Sequence, residues 1–135
     1  MLKYSGRFYN LFISSKPTII IIDDDIAILR TFTRIFERKG YSVTVAEKGK
    51  EAIEKLSINC YDIALIDLGL PDMEGMELFP LIQKTSPKTL KIILTGKTYL
   101  QDSIEGADAF IGKPVNPDKL LSIIDTKLKL RDIEI

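Results

Sequence analysis

The chain has 135 residues, 45% of them hydrophobic, which suits one domain with a core of its own. Its 19 basic residues balance 19 acidic ones, so the surface as a whole is not one that binds nucleic acid. The absence of histidine removes imidazole catalysis, imidazole metal ligands and a phosphohistidine from this chain, and the single cysteine, Cys60, excludes an internal disulfide, fits a cytoplasmic setting and reads as a quiet packing residue.

Residues 1–16 read as an N-terminal extension. Its apolar run Phe8–Ile13 is short and interrupted by Asn10, so it is not read as a signal peptide, and no run in the chain approaches the ~20 residues of a membrane-spanning helix. Tyr4, Phe8 and Phe12 recur every four residues, which fits an amphipathic turn. The first strand is expected at Thr18–Ile22, where four consecutive isoleucines indicate burial on both faces. A helix over Ile26–Arg38 follows, with Leu29, Phe32 and Phe36 at helical spacing, Asp25 as its N-cap and Gly40 as its stop. Ser42–Ala46 alternates as a half-exposed edge strand does.

The second helix is expected at Lys48–Ser57 and the third strand at Asp62–Ile66. The third helix is expected over Gly75–Lys84, with Pro80 inside it and kinking it. The fourth strand is placed at Lys91–Leu94, a short helix at Tyr99–Glu105 and the fifth strand at Ala109–Ile111. The last helix starts with Asn116 as cap and Pro117 as first residue, and turns Leu120, Leu121, Ile124 and Leu128 inward. Five strands alternating with five helices imply an α/β fold: a doubly wound, five-stranded parallel sheet. Right-handed crossovers with one reversal give the order 2-1-3-4-5.

That order brings the end of strand one, Asp23 and Asp24, beside the end of strand three, Asp67. Three carboxylates so close repel one another, and a Mg²⁺ ion would resolve the repulsion with hard oxygen ligands. Lys113, at the end of strand five, supplies a point charge for phosphate oxygens, and Thr95, at the end of strand four, a hydroxyl donor. Such a pocket suits a divalent cation and a phosphoryl group.

The runs Ile-Ile-Asp-Asp-Asp at 21–25, Leu-Ile-Asp-Leu-Gly-Leu-Pro-Asp-Met-Glu-Gly at 65–75, Ile-Leu-Thr-Gly at 93–96 and Phe-Ile-Gly-Lys-Pro at 110–114 stand in order at these strand ends. Together the set resembles the receiver domain of two-component response regulators, over roughly Lys16 to Lys129. The resemblance implies a flavodoxin-like receiver domain at 17–130 with a tail at 131–135. It implies that Asp67 is the phosphoacceptor, taking a phosphoryl group from a phosphohistidine of a histidine kinase or phosphotransfer protein. Asp24, Asp67 and the Gly69 carbonyl would then hold Mg²⁺, with Asp23 acting through water. Lys113 would contact first Asp67 and then the phosphoryl group. Thr95 and Phe110 would be the switch pair, with core packing the competing role for Phe110, and the Lys113–Pro114 peptide would be cis.

The function so implied is phosphorelay signalling through a switched protein surface, not a metabolic enzyme. The domain would assist only its own phosphorylation and dephosphorylation. Its partners would be the kinase, a downstream effector protein and a second copy of the chain, with no direct nucleic-acid or membrane binding. The alternatives are a phosphorylation-independent interaction module and the receiver half of a longer DNA-binding transcription regulator. A flavin carrier would need a phosphate loop where Asp23–Asp25 stand, and a covalent phosphohydrolase would need an acid where Gly69 stands. The interval from Thr95 to Lys113 is about one helical turn shorter than is usual in the family, Gly96 replaces a more frequent alanine, and Lys97 falls where the family tunes dephosphorylation.

Overall fold

The computed structural model describes residues 16–96 and 104–133. Strands β1 (Thr18–Ile22), β2 (Ser42–Ala46), β3 (Ile63–Asp67), β4 (Leu90–Thr95) and β5 (Ala109–Gly112) form one parallel sheet in the expected order β2-β1-β3-β4-β5. The helices are α1 (Ile26–Arg38), α2 (Gly49–Ile58), α3 (Phe79–Thr85) and α4 (Pro117–Ile133), with a single 3₁₀ turn at Gly75–Leu78 before α3.

The isoleucine run of β1 is wholly buried because its two faces serve two cores. Ile19 and Ile21 pack with Leu29, Phe32 and Phe36 of α1 and with Leu120 and Ile124 of α4. Ile20 and Ile22 pack on the other face with Ala52 and Leu56 of α2 and Ile82 of α3. In register, Ile22 of β1 lies beside Ile66 of β3, so Asp23 and Asp67 leave the sheet side by side. At the far end of the helix, Gly40 (φ +91) closes α1: its N–H and that of Tyr41 bond back to Glu37 and Phe36, a conformation that side chains with a Cβ resist. On the edge strand, Lys55 of α2 donates from Nζ to the Val45 carbonyl at 2.5 Å and occupies an acceptor on the open side of β2.

Several boundaries depart from expectation for identifiable reasons. The third helix is not one kinked helix. Gly75–Leu78 is a 3₁₀ turn and the α-helix begins at Phe79, so Pro80 sits in the first turn, where a missing N–H removes no helical bond. α2 runs one residue later than Lys48–Ser57, because Lys48 is extended and stands in the capping position outside the helix. β3 and β4 run through Asp67 and Thr95 rather than stopping one residue short. Cys60 is exposed rather than packed, its thiol 3.5 Å from the Thr85 carbonyl. The helix expected at Tyr99–Glu105 lies outside the described residues over 99–103, and Ile104 and Glu105 are in a loop and turn. Lys97, Tyr4, Phe8 and Phe12 also lie outside the described residues. The last helix continues to Ile133, across the 130/131 division. No helix among the described residues is long and apolar enough to cross a membrane.

Candidate functional site

The site lies at the C-terminal ends of β1, β3 and β5, where the strand order reverses and open α/β sheets hold their ligands. β1 delivers Asp23 at 0% exposure. Its backbone N–H still follows the sheet ladder, bonding to the Ala46 carbonyl at 3.0 Å. Its Oδ1 accepts from the Asp25 N–H at 2.9 Å, a tight turn that throws Asp24 outward and leaves Asp25 to cap α1 through the N–H groups of Ala27 and Ile28. Asp24 is exposed. β3 ends on Asp67, 8% exposed, whose Oδ1 accepts from the Gly69 N–H at 3.3 Å.

Lys113 enters from β5. Its N–H bonds to the Thr95 carbonyl at 2.9 Å, and the Lys113–Pro114 peptide is cis as expected. Its ammonium lies 3.0 Å from Asp23 Oδ2 and 3.5 Å from Asp67 Oδ1. The contact with Asp23 is one of charge: Oδ2 is buried and no donor is aligned on it as a hydrogen bond. Burial, and then the charge of Asp23, push the Asp67 carboxyl above its ordinary range, against the pull of Lys113 and the Gly69 N–H. Burial pulls Lys113 down, but contact with Asp23 and the charges of Asp23 and Asp67 outweigh it, and its ammonium is held above the ordinary lysine range.

One oxygen from each of Asp23, Asp24 and Asp67 lies within 4.8 Å of the others. Opposite ligands of a Mg²⁺ octahedron stand about 4 Å apart, so this spread accommodates two direct carboxylates and a third through water. Three carboxylates meet here against the Lys113 ammonium, which leaves negative charge for a cation to offset. The donor set therefore fits a hard divalent cation.

The structure thus brings together Asp23, Asp24, Asp67 and Lys113, and places Gly69, exposed, two residues from Asp67. Thr95 is 3% exposed at the end of β4, one strand over from Asp67. Phe110 is half-buried and packs against the core beneath α2 and α3.

Gly75 and Asp72 of the 65–75 run carry structural roles that the sequence alone does not show. A Cβ on Gly75 would overlap the Asp67 carbonyl oxygen and lie 2.8 Å from Ile66 Cγ2. Gly75→Ala is expected to displace the acceptor strand end and lower stability by about 2 kcal/mol, measured by urea unfolding. Asp72 caps α2 from 23 residues away. The signal for it is local and negative: Lys48-Gly49 stands where a helix start ordinarily carries Ser, Thr, Asp or Asn.

A family model described as the response regulator receiver domain matches residues 19–125. The transcriptional regulatory protein GlrR of Escherichia coli K12 is 36% identical over 121 residues, 86% of this chain and 27% of that protein. A CheY-like response regulator receiver domain protein of Methanospirillum hungatei JF-1 superposes with a TM-score of 0.83 at 42% identity, over 90% of this chain and 100% of that one. A Burkholderia pseudomallei response regulator, solved with a phosphorylated aspartic acid, a calcium ion and citrate, superposes with a TM-score of 0.73 at 28% identity, over 87% of this chain and 72% of that one. The chain spans less than half the length of the curated relatives it matches.

Proposed function

This chain belongs to the response regulator receiver domain family of two-component signalling, and from that premise we propose that it is a phosphoacceptor whose acceptor is Asp67. The observation that carries this reading is the Asp67 carboxylate itself. It stands at a strand end beside one ammonium, at 3.5 Å, and in a cluster of three carboxylates. The phosphorylated aspartic acid of the Burkholderia relative supports it by likeness.

Asp67 attacks the phosphorus of a phosphohistidine. One carboxylate oxygen forms the new bond to phosphorus as the bond from phosphorus to the imidazole nitrogen breaks, and the electron pair leaves with the imidazole. The nucleophile needs no base, because a carboxylate is already ionised at neutral pH. Lys113 moves its charge from the Asp67 oxygen to a phosphoryl oxygen, and the Thr95 hydroxyl donates to another. Catalysis is then positioning and charge. Asp24, Asp67 and the Gly69 carbonyl would hold Mg²⁺, with Asp23 acting through water, and the ion would supply charge neutralisation at the equatorial oxygens. Thr95 and Phe110 form the switch: a new dianion recruits the hydroxyl, and Phe110 turns inward in its place.

The reading extends to partners. A histidine kinase or phosphotransfer protein donates in the cytoplasm, an effector protein or a second copy receives the signal, and the domain is a signalling phosphoacceptor rather than a metabolic enzyme. The likeness to the transcriptional regulatory protein GlrR favours one further reading, that the chain is the receiver part of a longer transcription regulator. The test is intact mass after incubation with acetyl phosphate. A gain of one phosphoryl group that requires Mg²⁺ is the expected result, and no gain with Mg²⁺ binding intact shifts the reading to an interaction module independent of phosphorylation.

A further inference from the structure

Helix α2 has no cap of its own. Lys48, in the capping position, is extended and makes no side-chain bond to the helix. The first N–H groups of a helix need partners, and here a loop supplies them. Asp72 Oδ1 accepts from the Gly49 N–H at 2.8 Å and Oδ2 from the Lys50 N–H at 2.9 Å. These two bonds, that from Lys50 foremost, hold the carboxyl of the exposed Asp72 below its ordinary range. Met73, the next residue, packs so closely on Gly49 that a Cβ there would overlap its thioether.

The other end of the same loop is closed on itself. The Gly75 N–H bonds to the Leu68 carbonyl at 2.7 Å, and Gly69 pairs with Glu74 in an isolated antiparallel bridge. Residues 68–75 are therefore one closed unit, pinned at its tip to α2 and at its base to the acceptor strand. A serine or aspartate at position 48 would cap the helix without ordering a loop. The long-range cap instead ties the helix to the segment that carries Gly69 and begins at Asp67.

We propose that Asp72 is a positioning residue: its two bonds to α2 hold the 68–75 loop in the geometry that presents the Gly69 carbonyl and the Asp67 carboxylate to Mg²⁺. The inference rests on the phosphoacceptor reading of the site, and its test has one arm that does not depend on metal.

In metal-free protein, Asp72→Ala is expected to speed amide hydrogen exchange at Gly75 at least tenfold. In a calorimetric titration with Mg²⁺ alone, the same variant is expected to raise the dissociation constant about tenfold, the low end for residues that orient ligands. Asp72→Asn keeps one acceptor oxygen, so it recovers part of both effects and serves in its place if the alanine variant does not fold. Glu54→Gly, on the exposed face of α2, is the control for helix weakening alone: it lowers Tm with wild-type exchange at Gly75 and wild-type Mg²⁺ affinity. If Asp72→Ala behaves as Glu54→Gly does, the proposal is overturned and Asp72 is only a helix cap. If the wild type binds no Mg²⁺ while Asp72→Ala still loosens Gly75, the metal reading of the site fails and the mechanical tie between loop and helix stands.

Discussion

Asp67→Asn is expected to abolish Mg²⁺-dependent phosphoryl uptake completely and, in the same protein, to raise stability in chelator. The first effect is chemical. An amide oxygen beside Lys113 carries no full charge and forms no stable acyl phosphate, so intact mass after acetyl phosphate treatment stays at the unmodified value. The second effect follows from the electrostatics of the site. Burial and the charge of Asp23 raise the Asp67 carboxyl in the folded chain, so its ionised form opposes folding. A group raised in this way contributes stability that is fully present below its unfolded value, about 3.9, and is lost as pH rises through its higher folded value. Above that folded value the wild type has lost the contribution, and asparagine, which does not ionise, restores it. Thermal unfolding in EDTA should therefore show a higher Tm for Asp67→Asn at pH 7 and convergence with the wild type as pH falls below about 3.9. A variant that still gains a phosphoryl group would move the acceptor elsewhere.

Lys113→Met is expected to lower metal-free stability by about 2 kcal/mol at pH 7 and to enlarge the stabilisation produced by Mg²⁺. The ammonium is 3.0 Å from Asp23 Oδ2, which is buried and has no aligned donor. Removing one partner of a buried pair costs about 3–5 kcal/mol. The lysine side chain is 26% exposed, so water already screens part of its charge and the loss falls below that range. The ammonium is held above its ordinary range, so its contribution is full at neutral pH and disappears only as pH rises past about 10.4 and through the folded value. The gap between wild type and variant should accordingly be flat from pH 6 to 9 and close in strong alkali. Urea unfolding in EDTA and in Mg²⁺ measures both effects, and equal stability of the two proteins in EDTA would show that Lys113 does not offset the Asp23 charge.

The parts of the fold that were legible in the sequence are those governed by periodicity and local capping. The isoleucine run of β1, the Leu29–Phe32–Phe36 stripe and the Asn116-Pro117 start each carry their own signal, and strand order followed from handedness. The meeting of Asp23, Asp24, Asp67 and Lys113 was legible for the same reason, since strand ends are shared once the order is known. What was not legible depends on contacts between distant residues. Asp72 caps a helix 23 positions earlier, and nothing around Asp72 itself announces it. Gly75 reads only as the start of the third helix until the Asp67 carbonyl oxygen is seen where its Cβ would stand. The apolar pattern does not place Pro80, because a 3₁₀ turn and an α-helix in succession share it and only the backbone separates them.

The bond from Lys55 to the Val45 carbonyl also bears on how these molecules behave in a crowd. A parallel sheet that ends on an uncovered strand offers neighbours a ladder to extend, and chains in concentrated solution can stack edge to edge along it. Here one rung is already taken by an ammonium that also pairs with Glu51 one helical turn earlier. An approaching strand would have to displace a charged group and desolvate it before its own bonds could form. The β2 side of the sheet is thereby discouraged from polymerising by a single side chain rooted in the helix behind it.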